Sequence, residues 1–112
     1  MTRENLGEFE QLVLLAVVRL TGDGDVYGVP IVDEIERRTK RTVARAAVYI
    51  TLRRLEQKGL VASWMSESTQ ERGGKARRCV KLTKAGLHTL RDSRQAVDQM
   101  WSGLDPKLEK IR

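Results

Sequence analysis

The chain has 112 residues and a formal net charge of +6, with 40% hydrophobic and 32% charged residues, which is typical of one small globular domain and excludes a disordered chain. The longest apolar run, residues 12–18, is too short to span a bilayer, and the N-terminus has no signal-peptide pattern. A single cysteine, Cys79, excludes an internal disulfide and fits a reducing compartment. We therefore expect a cytoplasmic protein with no membrane contact.

Two helices are predicted in the N-terminal third. Apolar residues recur at three- and four-residue spacing over residues 6–20 and cover almost the whole circumference, so this helix should lie in the core or at a subunit interface. The glycine- and aspartate-rich residues 21–25 end it. A second helix is predicted over about residues 28–39, with Pro30 tolerated in its first turn.

The third predicted helix, residues 45–58, has two different faces. Val48, Leu52 and Leu55 form a buried stripe, and Gly59 ends the helix. The opposite face is small, aromatic and rich in arginine, which is unusual for plain surface. It carries Ala46, Tyr49, Ile50, Arg53 and Gln57, with Arg54 beside them.

A β-hairpin is predicted after the third helix. Its strands are residues 60–65 and 77–82, joined by a polar loop with a glycine pair. The predicted fold class is therefore mainly α with a small antiparallel β-hairpin. Three helices followed by a hairpin with a basic tip is the element order of a winged helix-turn-helix protein.

A last long helix is predicted after Thr83, a natural N-cap. Its apolar residues follow the alternating spacing of a coiled-coil seam with one charged member. The seam consists of Leu87, Leu90, Arg94, Val97, Trp101 and Leu104. Because this helix begins after the hairpin has closed the small domain, we expect the seam to pack against a second subunit. The chain then divides into a winged helix-turn-helix domain, residues 1–82, and a C-terminal dimerisation helix, residues 83–112, in one compact unit.

The positive charge is concentrated in the middle of the chain. Residues 1–36 carry a net charge of −6, residues 37–84 carry +11, and residues 85–112 carry +1. A basic segment taken alone is most simply a solvated face. A basic segment that contains a helix-turn-helix order favours binding to a polyanion such as DNA.

Several short motifs occur in a fixed order along residues 6–90. They are Leu6-Gly7, Glu10, Leu14-Leu15, Tyr27-Gly28, Val48-Tyr49, Leu52, Arg54-Leu55-Glu56, Gly59-Leu60, Trp64, Leu82-Thr83 and Gly86. In order and spacing the chain resembles the PadR family of bacterial transcriptional regulators, and its short C-terminal region resembles the small subfamily with a single dimerisation helix. The resemblance implies a homodimeric, sequence-specific regulator that binds a palindromic operator on double-stranded DNA, acting as a repressor relieved by an effector.

The chain departs from the family pattern at three places. Ala44 stands where members usually carry a Ser or Asn cap, so we expect Thr42 or solvent to satisfy the first amides of the third helix. Ile50 stands where the family often has proline, and no aromatic pair occurs near Cys79 and Val80. These departures concern the helix entry and the wing rather than the fold.

The predicted DNA contacts come from the third helix and the wing. Arginine bonds guanine edges bidentately and tyrosine reaches phosphates, so Arg53 and Tyr49 are the candidates for reading and bracing DNA. Arg54 is equally a candidate for pairing with a carboxylate. Lysine and arginine in the wing should contact phosphates or the minor groove. The complete predicted set is Lys40, Arg41, Ala46, Tyr49, Ile50, Arg53, Arg54, Arg72, Lys75 and Arg77, the first two being also interpretable as solvated charges.

Three residues near the C-terminus have alternative interpretations. A tryptophan at heptad spacing is most often interface core, whereas the resemblance to drug-sensing members implies that a flat aromatic effector binds Trp101 beside Val97 between the subunits. Arg94 is a register device in the dimer, a snorkelling surface residue or the partner of a ligand anion.

An enzyme or metal site has almost no support. His88 and Cys79 are each the only residue of their type, and catalysis or metal binding needs partners at recognisable spacing. We therefore expect no enzyme activity, no metal and no cofactor. Two other functions stay open: a dimeric adaptor whose basic face binds an acidic protein, and a protein that sequesters a small molecule.

Overall fold

The computed structural model describes residues 5–67 and 76–111, and in these it has five helices and two strands. The helices are α1 (Glu8–Leu20), α2 (Gly28–Thr39), α3 (Arg45–Gln57), α4 (Lys84–Trp101) and α5 (Asp105–Glu109). The strands are β1 (Val61–Met65) and β2 (Arg78–Leu82). The predicted fold class, mainly α with one antiparallel hairpin, is confirmed, and the first three helices lie within two residues of their predicted bounds.

Helix α1 is the centre of the core. The buried side chains of α1 pack against α2 and α3. They are Val13, Leu14, Ala16 and Val17. Two further apolar residues of α1, Leu15 and Val18, remain exposed on the other side. The helix is apolar nearly all round because one side fills the core and the other presents an apolar strip on the surface.

The helix ends differ in how their backbone groups are satisfied. The Thr83 hydroxyl accepts a hydrogen bond from the Gly86 amide at 3.0 Å and donates one to the Gly59 carbonyl at 2.7 Å, as expected of the N-cap of α4. Helix α3 has Ala44 as its N-cap and no side-chain cap bond. Within the described residues no hydrogen bond joins Thr42 to the first amides of α3 either, so of the two expected solutions only solvent remains.

Each strand of the hairpin is attached to the helical domain, β1 by the buried side chain of Val61 and β2 by a backbone hydrogen bond from Val80. In its antiparallel register Val61 pairs with Leu82, and Trp64 pairs with Cys79. Val61 is the buried residue of β1, whereas Trp64 is half exposed at the surface. On the other edge of the hairpin, the amide of Val80 donates to the carbonyl of Val26, 2.9 Å away, in the loop before α2.

Helix α4 belongs to the domain only in its first half. A Cβ on Gly86 would lie 2.1 Å from the carbonyl oxygen of Leu60, so the helix starts in direct contact with that backbone. Leu90 is buried in the core of its own chain, and Ser93 is buried next to it. From Arg94 to the end of α4 every residue is exposed. The second half of α4 therefore extends beyond the domain.

Candidate nucleic-acid interface

The outer face of α3 brings together the central residues of the predicted DNA-binding set. Ala46, Tyr49, Ile50 and Arg53 are all exposed, and the exposed fractions of Tyr49 and Ile50 are 48% and 56%. The opposite stripe of α3 is buried, which orients this face outwards. Within the part of the chain that the structure describes, Arg53 forms no ion pair with a carboxylate.

Tyr49 is held by the first turn of α2. A Cβ built on Gly28 would lie 2.5 Å from the Tyr49 ring carbon Cε1 and 2.8 Å from its hydroxyl oxygen. Only glycine leaves room for the ring at this position, so Gly28 allows Tyr49 to pack directly on the first turn of α2. The sequence analysis placed Tyr27-Gly28 in a motif but gave it no role. The signal that could have indicated a close approach of another side chain was a glycine at the start of a helix.

A cleft of about 370 Å³ separates α3 from the wing. It is lined by Tyr49, Leu52, Arg53, Glu56, Arg78 and Val80. At its floor the carboxylate of Glu56 accepts a hydrogen bond from the Ser63 hydroxyl at 2.6 Å, and Arg78 Nη2 lies 3.8 Å from Glu56 Oε1. Glu56 thereby joins the end of α3 to β1 by a hydrogen bond and lies near Arg78 of β2. The sequence analysis missed Arg78 as a member of this surface. The signal was the alternation of side chains along the second strand, which puts Arg78 and Val80 on the same face.

Arg77 has different surroundings from Arg78. Its guanidinium carbon lies 4.3 Å from the centroid of the Tyr27 ring, a cation–π geometry. Its backbone exchanges two hydrogen bonds with Ser66, one from the Ser66 amide at 2.7 Å and one to the Ser66 hydroxyl at 3.0 Å. The predicted wing contacts Arg72 and Lys75 fall on residues 68–75, outside the described residues.

Arg54 lies beside an ion pair rather than on the outer face of α3. Lys58 Nζ is 3.1 Å from Glu10 Oε2, and both side chains are largely buried. Burial raises the pKa of Glu10, whereas hydrogen bonds from the Gly7 amide and Lys58 lower it. The charges of Lys58 and Arg54 lower it further, so the pKa of Glu10 lies below its ordinary value of 4.5. This position favours the carboxylate-partner interpretation of Arg54.

The two basic residues after α2 are both exposed. Arg41 Nη1 lies 2.6 Å from Glu8 Oε1, and this hydrogen bond and the charges hold the pKa of Glu8 low and that of Arg41 high. Lys40 caps α2 in the left-handed conformation, with a φ of 60°. Arg41 is thus engaged on the surface of its own chain, while the side chain of Lys40 faces solvent.

A second exposed surface lies on the C-terminal half of α4. Val97 is 48% exposed and Trp101 57% exposed, and Met100, which the predicted seam leaves out, is exposed further still. A groove of about 380 Å³ between α1 and α4 adjoins them. It is lined by Gln11, Leu15, Leu90, Arg91, Arg94, Val97 and Asp98. Of the other predicted seam residues, Leu87 and Leu104 are half-buried and Arg94 is exposed 3.4 Å from Asp98.

Two kinds of site are not found in the part of the chain that the structure describes. Residues 5–67 and 76–111 contain no group of three or more His, Cys, Asp or Glu side chains that could hold a metal ion. Nor does any helix in those residues have the length and apolar character needed to cross a membrane.

Three helices with an exposed third helix beside a β-hairpin define a winged helix-turn-helix protein, the class whose third helix enters the major groove of DNA. The profile of the transcriptional regulator PadR-like family matches residues 14–92. The chain belongs to this family, which confirms the resemblance seen in the sequence. It is a family of transcriptional regulators that bind DNA, not of enzymes.

Individual relatives agree with this assignment. The transcriptional regulator Rv3488 from Mycobacterium tuberculosis is 32% identical over 94 residues, which cover 83% of each chain. A solved structure of a PadR family transcriptional regulator from Eggerthella lenta is 26% identical, with a TM-score of 0.69, over 93% of this chain and 88% of that one. A PadR-like regulator from Bacillus cereus is 18% identical and shares the fold, with a TM-score of 0.70 over 92% and 93% of the two chains.

Proposed function

We propose that this chain is a homodimeric, sequence-specific transcriptional regulator that binds a palindromic operator in the cytoplasm and acts as a repressor relieved by an effector. The observation that carries the proposal is the outer face of α3. There Arg53 is exposed and has no ion-pair partner among the described residues, whereas Arg41, Lys58 and Arg78 each lie near a carboxylate.

Helix α3 suits the major groove in the chemistry of its outer face. Arg53 can donate two hydrogen bonds to O6 and N7 of a guanine. Tyr49, one turn earlier and supported by Gly28, can reach a phosphate, while Ala46 and Ile50 can contact thymine methyl groups. Arg72 and Lys75 in the wing would add phosphate or minor-groove contacts on the flank.

Dimerisation would come from the unit formed by residues 83–112. Val97 and Trp101 expose apolar surface beyond the domain, and Leu15 and Val18 of α1 offer a matching apolar strip. A two-fold dimer built on these surfaces would present two copies of α3 to half-sites spaced about one helical turn, roughly 34 Å, apart. This spacing is the reason to expect a palindromic operator.

The experiment that tests the proposal is selection of duplexes from a random pool by the purified protein. We expect an enriched palindrome, and a reporter carrying it should fall in expression when the protein is present. Arg53→Ala should lose about 1–3 kcal/mol of binding free energy on that operator and much less on random duplexes. Lys107→Ala, which removes one exposed positive charge from α5, is the matched control.

Two results would contradict this assignment. Equal losses for Arg53→Ala on operator and random duplexes would remove Arg53 from base reading. A pool without any enriched sequence would favour instead an adaptor that binds an acidic protein through its basic face.

The effector part of the proposal depends on Trp101. Its exposed indole beside Val97 offers a flat apolar surface on which an aromatic compound can stack between the subunits. In a Trp64→Phe background Trp101 is the only tryptophan, so planar aromatic compounds should quench the remaining fluorescence saturably and weaken operator binding over the same concentrations. Linkage requires the same compound to bind less well to the DNA-bound dimer. If no compound of a broad aromatic panel quenches Trp101, its role is interface core.

A further inference from the structure

Arg77 and Arg78 are neighbours in the chain, yet their side chains have different partners. Arg77 is half-buried, with its guanidinium stacked over the Tyr27 ring at 4.3 Å. The Arg78 side chain is 63% exposed and lines the cleft that also contains Tyr49 and Arg53. Both arginines line a cleft beside Tyr49, but Arg78 is the one that also lines the cleft containing Arg53.

The stack on Tyr27 connects the wing to the recognition helix. Ser66 holds the backbone of Arg77 through two hydrogen bonds, so Arg77 closes the last described rung of the hairpin. Tyr27 receives the Arg77 side chain, and the adjoining Gly28 receives the Tyr49 ring. One dipeptide thus contacts both the base of the wing and the outer face of α3.

The contact between Arg78 and Glu56 is weak enough to be exchanged. At 3.8 Å it is longer than a hydrogen bond, and both side chains are partly exposed. Ion pairs of this kind contribute little to stability in water. A DNA phosphate, which attracts arginine bidentately and releases counterions on binding, is a stronger partner than this carboxylate.

We infer that Arg77 is a positioning residue, fixing the wing through Tyr27, and that Arg78 makes the phosphate contact that the sequence alone assigns to Arg77. The inference rests on the proposed function, because it concerns which residues of this chain contact DNA. It also makes Tyr27 a determinant of DNA affinity, although Tyr27 need not touch DNA.

The first measurement is the salt dependence of binding to operator and random duplexes. Arg78→Ala should weaken binding by the same factor on both duplexes and lower the slope of log K against log salt by about 0.9, the value of one phosphate contact. Lys81→Ala is the matched control, since it removes an exposed lysine three positions later in β2, where strand alternation puts the side chain on the opposite face. An unchanged slope for Arg78→Ala overturns the inference by itself.

The second measurement is a double-mutant cycle between Arg77 and Tyr27. Arg77→Ala and Tyr27→Leu should each weaken DNA binding by about three-fold, and the double variant should be no weaker than either alone. Tyr27→Phe keeps the ring and should keep wild-type affinity. Equal losses for Arg77→Ala in the wild-type and Tyr27→Leu backgrounds would mean that Arg77 contacts DNA directly, which overturns the inference.

Failure of the inference and failure of the proposed function give different results. A wild-type protein that binds no duplex in a salt-dependent manner overturns both. A wild-type protein that enriches a palindrome, with the slope change found for Arg77→Ala instead of Arg78→Ala, overturns only the division of roles between the two arginines.

Discussion

The outer face of α3 and the second half of α4 are both exposed, but they differ in chemistry and in support. The face of α3 carries arginine and tyrosine, and its geometry is held by Gly28 below Tyr49 and by Glu56 at the wing. The second half of α4 carries Val97 and Trp101 and extends beyond its own domain. A charged face held in a fixed geometry suits a polyanion of regular shape. An exposed apolar helix suits a protein surface, because leaving apolar area in water costs about 25 cal/mol per Å².

The largest expected effect concerns the apolar surface on the second half of α4. Val97→Asp combined with Trp101→Asp should convert the proposed dimer to a monomer of 12.7 kDa and weaken operator binding by about 100-fold or more, since charges would replace two apolar residues of the proposed interface. Sedimentation and DNA titration measure the two effects.

The control for this prediction lies on the same helix. Gln95→Asp combined with Gln99→Asp adds the same charge on the polar side of α4, beside Arg91 and Ser102, and should leave the dimer intact. A wild-type monomer at micromolar concentration would contradict the dimer, and equal dissociation by both pairs would show only that added charge disrupts α4.

The next effect concerns the support of Tyr49. Gly28→Ala should displace the Tyr49 ring, weakening operator binding about ten-fold and lowering the free energy of unfolding by about 1 kcal/mol, because the new Cβ and the ring cannot both fit. Chemical denaturation and DNA titration measure these losses. In a Tyr49→Ala background the same substitution should have almost no effect. A similar loss in both backgrounds would place the constraint on Gly28 elsewhere than at Tyr49.

The fold was predictable because its signals are local and periodic. The stripe of Val48, Leu52 and Leu55 fixed the orientation of α3, and Thr83 capped α4 as expected. Close approaches between distant segments leave no such pattern. The contact of Gly28 with Tyr49 and the stack of Arg77 on Tyr27 join segments more than twenty residues apart, so no sequence period shows them.

The C-terminal helix shows the same limit in another form. The spacing of Leu87, Leu90 and Val97 gave a single seam, but the structure divides it between two environments. Leu90 lies in the core of its own chain, because Gly86 lets α4 start in contact with Leu60, whereas Val97 lies beyond the domain. Periodicity identifies an apolar stripe, and only the point where α4 leaves the domain decides which part of it is free for a partner.

A smaller effect tests the ion pair that holds the end of α3 to α1. Since the pKa of Glu10 is lowered in the folded state, its contribution to stability is present above the unfolded value of 4.5 and is lost as the pH falls through the lower folded value. The free energy of unfolding should therefore decrease as the pH falls below the unfolded value, and Glu10→Gln should make this decrease smaller. Glu109→Gln on α5 is the control. A pH profile that Glu10→Gln leaves unchanged would contradict the role of the Lys58 pair.

The smallest effect is a gain in stability at the start of α3. Ala44 has the extended backbone of an N-cap, with φ −76° and ψ 133°, but no side chain that can accept a hydrogen bond from the first amides. Ala44→Ser supplies that acceptor and should raise the free energy of unfolding by about 0.5–1 kcal/mol, measured by denaturation. Ala96→Ser, at an exposed position inside α4, should instead lower it slightly, because serine favours caps over helix interiors. If both substitutions change stability in the same direction, the first amides of α3 are already satisfied and the missing cap costs the protein nothing.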